Sequence, residues 1–162
     1  MSSEKIVTLS VNGKTVKSIV PTHRTLLEML REEGFVDVKC GCEKGDCGAC
    51  AVLLDGDPVD SCLTLAWLAD GSAVTTVKGL GQPENPDPIQ SAFIETGGAQ
   101  CGYCTPGMII AARALLDKNP NPTLDDIKKG LSGNLCRCTG YTRIFEAVEI
   151  AAREIRNQEA TS

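Results

Sequence analysis

The chain has 162 residues, enough for one domain or two small ones. Apolar residues make up 42% and aromatics only 4%, so a core must come mainly from Leu, Ile, Val and Ala. A net charge of −5 argues against nucleic acid or an anionic membrane as the main partner. No apolar run reaches the ~18 residues that span a bilayer. The opening MSSEKIVTLSVNGK has no basic stretch followed by a long apolar core, so the expected location is the cytoplasm.

In chain order, the first element reads as a hairpin. IVTLSV alternates, with Val7, Leu9 and Val11 on one face; Asn12-Gly13 is a type I′ turn signal, and KTVKSIV returns. Pro21-Thr22 ends that pair. Thr22 is expected to cap a helix with Leu26, Leu27 and Leu30 on one face, stopping at Gly34. A short FVDVK piece leads into a cysteine-rich loop. ACAVLLDGDPVDSC then reads as strand, Asp55-Gly56 turn and short return. LTLAWLAD fits helix or extended chain, and AVTTV (73–77) reads as a strand.

The composition changes at GLGQPENPDP (79–88), with three prolines and two glycines, which reads as an exposed connection. Beyond it the pattern is helical. Asp87-Pro88 starts a helix with Ile89, Ala92 and Phe93 inward and Gly97-Gly98 as its stop. Thr105-Pro106 starts a second, with Met108, Ile109, Ala112, Leu115 and Leu116 apolar. Thr123 with Asp126 forms a capping-box pattern for a third, ending near Gly130 or Gly133. The fourth, roughly 142–157, presents Ile144, Val148, Ala151, Ala152 and Ile155. The expected class is α+β: a sheet domain over 1–78, a connection at 79–88 and a helical domain over 89–162.

The cysteines carry the chemistry. There are nine, an odd number, and a reducing compartment disfavours disulfides. His23 is the single histidine and stands far from them, so it reads as a plain surface residue. Cys42-x4-Cys47-x2-Cys50, with Cys62 beyond eleven further residues, has the spacing of a plant-type [2Fe-2S] site. Three thiolates from one loop must wrap two irons. Gly41, Gly45 and Gly48 clear room for that curl and let amide N–H groups face sulfur. Cys101-x2-Cys104 and Cys136-x-Cys138, 31 residues apart, form a second set of four. Each pair precedes a helix, where anionic thiolates are favoured. This second set fits a cluster or a structural zinc. Arg137, between two of these cysteines, reads equally as a tuning charge or as a surface ion pair. Trp67 and Tyr141 read as packing residues.

GCEKGDCGAC, QCGYCTPGM and GNLCRCTGY together resemble the small iron–sulfur subunit of the xanthine dehydrogenase, or molybdenum hydroxylase, family. The resemblance covers nearly the whole chain, with three separate motifs in order. It implies a plant-ferredoxin-like β-grasp domain followed by a four-helix bundle, each with one [2Fe-2S] cluster. Cys42, Cys47, Cys50 and Cys62 would hold the first; Cys101, Cys104, Cys136 and Cys138 would hold the second. It also implies a large partner carrying molybdopterin and a medium partner carrying FAD, in a dimer of heterotrimers. Electrons would pass from the pterin into the helical-domain cluster, then through the ferredoxin-like one toward flavin. Gln100 and Cys138 match positions that contact the pterin. The ninth cysteine, Cys40, departs from the pattern and reads as a small buried side chain beside the first loop, the alternative being a redox-sensitive or substitute ligand.

The expected activity is therefore that of an electron-transfer subunit, inert alone, in an oxidoreductase complex. SCLTLAWLADG and the short linker resemble those of bacterial xanthine and nicotinate dehydrogenase small subunits, which implies an N-heteroaromatic substrate, a purine or nicotinate, over an aldehyde, carbon monoxide or an aromatic acyl-CoA. Two further readings stay open: a free-standing two-cluster ferredoxin, and a zinc-stapled interaction module.

Overall fold

The computed structural model describes residues 3–161 and is a mixed α+β protein. Its sheet has five strands: β1 (Glu4–Val11), β2 (Lys14–Pro21), β3 (Ala51–Leu54), β4 (Asp57–Asp60) and β5 (Ala73–Thr75). Their spatial order is β2-β1-β5-β3-β4. β5 lies parallel to β1 and antiparallel to β3, and both hairpins are antiparallel. The first hairpin pairs Val11 with Lys14 across Asn12-Gly13, whose φ values of 51° and 79° suit the I′ turn. Val7, Leu9 and Val11 face inward as their alternation predicts. The edge strands carry Lys14 and Lys17 on β2 and Pro58 on β4, residues that discourage further pairing.

Helix α1 (Leu26–Glu32) lies on this sheet and buries Leu26, Leu27, Met29 and Leu30. Its cap is Thr25, not Thr22. Glu28 stands three residues after Thr25, and the two exchange bonds: Glu28 N–H donates to Thr25 Oγ1 at 3.2 Å, and Thr25 N–H to Glu28 Oε2 at 2.8 Å. Thr22 lies too early for that exchange; its carbonyl accepts from Trp67 Nε1 at 3.0 Å. LTLAWLAD resolves into a 3-10 turn at Ala66–Ala69. The strand expected over 73–77 stops at Thr75. The Asn12 side chain accepts from the N–H of buried Thr76 and donates to its hydroxyl, at 2.9 Å each, where the chain turns into α2 (Val77–Leu80).

Four helices follow: α3 (Pro88–Glu95), α4 (Thr105–Lys118), α5 (Leu124–Gly130) and α6 (Thr142–Thr161). Asp87 and Thr123 cap α3 and α5 with reciprocal capping boxes, as their spacing predicts. The four share one core: Ile89 and Phe93 of α3, Met108 and Ala112 of α4, Ile127 of α5, and Ile144, Val148 and Ala151 of α6. The sheet half has a separate core around Val7, Leu9, Leu27, Val52 and Val74. A small third cluster, Leu53 with Ile110 and Ala114, seats α4 against β3. The two halves thus have separate cores and meet along α4.

Candidate metal centres

Both cysteine sets fall in irregular segments between regular elements, where the backbone has free donors. In the first loop, Glu43, Gly45 and Gly48 adopt left-handed φ values of 55°, 77° and 66°. This curl turns amides toward sulfur: the N–H groups of Lys44 and Asp46 donate to Cys42 Sγ at 3.4 and 3.3 Å. Gly41 is needed for space rather than for φ, since a Cβ there would stand 2.7 Å from Cys47 Sγ. The β3–β4 hairpin carries Cys62 back to the loop. There its thiol meets that of Cys50, and both are buried.

In the second set, Cys104 is the N-cap of α4, while Cys136 and Cys138 lie in the turn before α6. Cys104 meets Cys136, and Cys101 meets Cys138. The first set likewise contains the pair Cys42–Cys47 besides Cys50–Cys62. The structure therefore brings all eight sequence-predicted cysteines to a thiol partner within their own set. Among the described residues no three His, Cys, Asp or Glu groups converge as around a single ion. Pairs are the unit a binuclear cluster takes, two thiolates for each iron. No two of the nine cysteines are joined by a disulfide.

The thiols divide by environment. Lys44 N–H draws Cys42 down to about 7, with further help from Cys47 and the Asp46 N–H. Burial pushes Cys50 up to about 12, and burial does the same to Cys104. Burial also raises Cys47. The bond to Cys101 raises Cys138. Cys136 is held low: burial opposes ionisation there, but the Thr139 hydroxyl at 3.2 Å and nearby backbone N–H groups outweigh it. A buried, proton-retaining thiol becomes a thiolate once metal takes the proton's place. The Thr105 hydroxyl beside Cys104 is buried without a partner among the described residues. A donor of this kind suits an inorganic sulfide, so the residues present fit a cluster.

Several contacts that spacing does not reveal hold the two loops together. Leu135 N–H donates to the Cys47 carbonyl at 3.0 Å. Asn134 Nδ2 donates to the Gly48 carbonyl at 3.0 Å. The Tyr103 hydroxyl donates to the Cys40 carbonyl. Tyr141 does more than pack: its hydroxyl accepts from Cys136 N–H at 2.9 Å and donates to the Asn134 carbonyl at 3.3 Å. Its ring stacks on Phe145.

The remaining expectations sort as follows. His23 and Gln100 are exposed, and Gln100 directly precedes exposed Cys101. Arg137 is exposed and has no ion-pair partner among the described residues. Cys40 is half-exposed rather than a buried apolar filler, because its thiol donates to Glu43 Oε1 at 2.9 Å. That bond raises the Cys40 thiol above its ordinary value. Cys40→Ser keeps the donor and is expected to leave iron and sulfide content unchanged. Metal analysis of the purified variant checks this, and a clear loss of iron would make Cys40 a ligand.

A fold with two cores, each bearing a four-thiol loop system, defines a two-centre iron–sulfur protein. Residues 9–75 match the family described as a 2Fe-2S iron-sulfur cluster binding domain. Residues 76–149 match the one described as a [2Fe-2S] binding domain. The nicotinate dehydrogenase small FeS subunit of Eubacterium barkeri is 47% identical, over 93% of this chain and 97% of its own length. The aldehyde oxidoreductase of Megalodesulfovibrio gigas is 44% identical over 96% of this chain, which spans only 17% of that longer protein. The crystal structure of quinoline 2-oxidoreductase from Pseudomonas putida 86 contains a chain that superposes with a TM-score of 0.91. That chain is 42% identical, with 98% of this chain and 99% of it covered. The chain belongs to the small iron–sulfur subunits of the xanthine dehydrogenase, or molybdenum hydroxylase, family.

Proposed function

We propose that this chain is the electron-relay subunit of a multi-subunit molybdenum hydroxylase, standing between a molybdopterin-bearing large subunit and an FAD-bearing medium subunit. The observation that carries this reading is the pairing of all eight thiols in two sets joined by direct loop-to-loop hydrogen bonds. In this reading Cys42, Cys47, Cys50 and Cys62 hold one [2Fe-2S] cluster, and Cys101, Cys104, Cys136 and Cys138 hold the other. When bound, the clusters supply one-electron carriers. The chain itself positions them, covers them and directs N–H donors at sulfur. The sheet half is then a β-grasp ferredoxin domain over 1–78, and the helices over 89–162 are a four-helix bundle.

The two sites differ in exposure. Cys101 and Cys138 are exposed together with Gln100, whereas Cys50 and Cys62 are buried. The exposed edge is assigned to the large subunit, with Gln100 and Cys138 against the pterin. Among the described residues no helix is long and apolar enough to cross a membrane. For the whole complex we infer a dimer of heterotrimers acting on an N-heteroaromatic such as a purine or nicotinate. The names of two of the relatives above, nicotinate and quinoline enzymes, support that class.

The test is paramagnetic resonance on the full chain reconstituted with iron and sulfide, then reduced. Two distinct [2Fe-2S] signals are expected. One signal with stoichiometric zinc would overturn the reading in favour of a zinc-stapled module. Activity of the co-purified complex on xanthine, nicotinate and an aldehyde then decides the substrate class, and turnover of the aldehyde alone would reverse it.

A further inference from the structure

We propose that Asn134 is a positioning residue that fixes the separation, and with it the electronic coupling, of the two cysteine sets. The inference rests on the reading above that each set holds a cluster. Asn134 ligates nothing in that reading, yet it is only 7% exposed. Its backbone is tied into the helical half: its N–H donates to the Leu131 carbonyl at 3.0 Å, and its carbonyl accepts from Tyr141. Its side chain leaves that half and donates to the Gly48 carbonyl at 3.0 Å.

Both ends of this contact lie close to expected ligands. Gly48 follows Cys47 and precedes Cys50 by two residues; Asn134 precedes Cys136 by two. The next backbone group, Leu135 N–H, donates to the Cys47 carbonyl at 3.0 Å. A hydrogen-bonded bridge thus runs from a residue of the first set to the neighbour of a residue of the second. Glycine is required on the facing side. A Cβ at Gly48 would collide with the Asn134 carboxamide and the Gly133 carbonyl, and one at Gly107 would collide with the Gly48 carbonyl. The halves approach closely here, and among the described residues the buried side-chain donor in that approach is Asn134. Electronic coupling falls steeply with separation, so a looser loop contact is felt in coupling before it is felt in folding. Other ties keep the halves docked without this bond: Leu53 against Ile110 and Ala114, the Tyr103 bond to the Cys40 carbonyl, and the exposed Lys118–Asp57 pair.

Asn134→Ala and the near-isosteric Asn134→Leu test this in the full chain. Neither side chain can donate to the Gly48 carbonyl. After reconstitution and dithionite reduction, the parent is expected to show mutual spin–spin splitting between its two signals. Each variant should keep its iron and both signals but show a splitting measurably smaller than the parent's. Hydrogen exchange on the cluster-free chain reads the same contact independently. Exchange at Leu135 N–H should quicken about ten-fold in Asn134→Ala, the factor that loss of one buried hydrogen bond corresponds to. Parental splitting in fully loaded variants overturns the proposal. So does unchanged Leu135 exchange, loss of iron from one set, or unfolding of both variants, which would make Asn134 a purely structural residue. A parent lacking two clusters refutes the relay reading instead, while exchange still judges the Asn134 contact.

Discussion

Cys62→Ser is expected to remove one [2Fe-2S] signal and leave the other intact. Cys62 reaches the first loop only through the β3–β4 hairpin, and its thiol is the partner of buried Cys50. A serine hydroxyl in its place does not ionise near neutral pH and is a hard ligand, poorly matched to an iron–sulfur core. The iron it should share with Cys50 is left with one protein thiolate, so the cluster cannot close. Iron and sulfide are expected to fall to about half, because in the proposed reading each set of four thiolates serves one cluster. The surviving signal belongs to the second set. Its thiols pair on the helical half, whose core around Phe93, Met108 and Ile144 contains no strand residue. The sheet half should also unfold at lower temperature, since metal-binding free energy contributes to folding free energy. In the assembled enzyme the relay would be interrupted, with reduction of the second set preserved and passage onward lost. Cys104→Ser is the mirror experiment and should spare the first signal. Loss of both signals from either variant would show that the two sites assemble as one unit, contrary to the two separate cores.

Much of this could be read directly from the residues. Val7, Leu9 and Val11 announce a half-buried strand, and Asn12-Gly13 announces its turn, because both signals act within a few residues. Asp87-Pro88 and Thr123 with Asp126 announce helix starts for the same reason. The failures are instructive in the same terms. Thr22 and Thr25 are both plausible caps by composition, and only the reach of the Glu28 carboxylate selects Thr25. The end of β5 is set by Asn12, sixty-four residues away along the chain, which no local pattern contains. Spacing groups the cysteines into two sets but does not say which thiols face one another. Cys101 meets Cys138 and Cys104 meets Cys136 because α4 and the turn before α6 converge. Tyr141, read as packing, turns out to bridge Cys136 and Asn134 through its hydroxyl. Its left-handed φ of 68° follows the glycine of GNLCRCTGY but is invisible in composition.

Gly107→Ala should destabilise the protein, although at an ordinary helix position the same change stabilises. Gly107 is the third residue of α4, and glycine inside a helix is less favourable than alanine by up to ~1 kcal/mol. Propensity alone therefore predicts a gain. The tertiary contact opposes it. A Cβ at 107 would overlap the Gly48 carbonyl oxygen and stand 3.1 Å from both the Gly48 carbonyl carbon and Asn134 Nδ2. The obstacle is backbone and a hydrogen-bonded carboxamide, so no flexible side chain can swing aside. Either α4 lifts from the first loop or the loop deforms, and both strain the Asn134 bond. Overpacking of this kind costs ~1–3 kcal/mol. Set against the helix gain, the net loss reaches ~2 kcal/mol, a fall in Tm of up to roughly 4–8 °C for a chain of this size. Gly133→Ala is the matched control, because a Cβ there meets nothing within 4 Å. Thermal unfolding of the two variants beside the parent should separate them, with Gly133→Ala near the parent. A Gly107→Ala protein as stable as the parent, or more so, would mean that the halves do not meet at Gly48, and the bridge through Asn134 would fall with that contact.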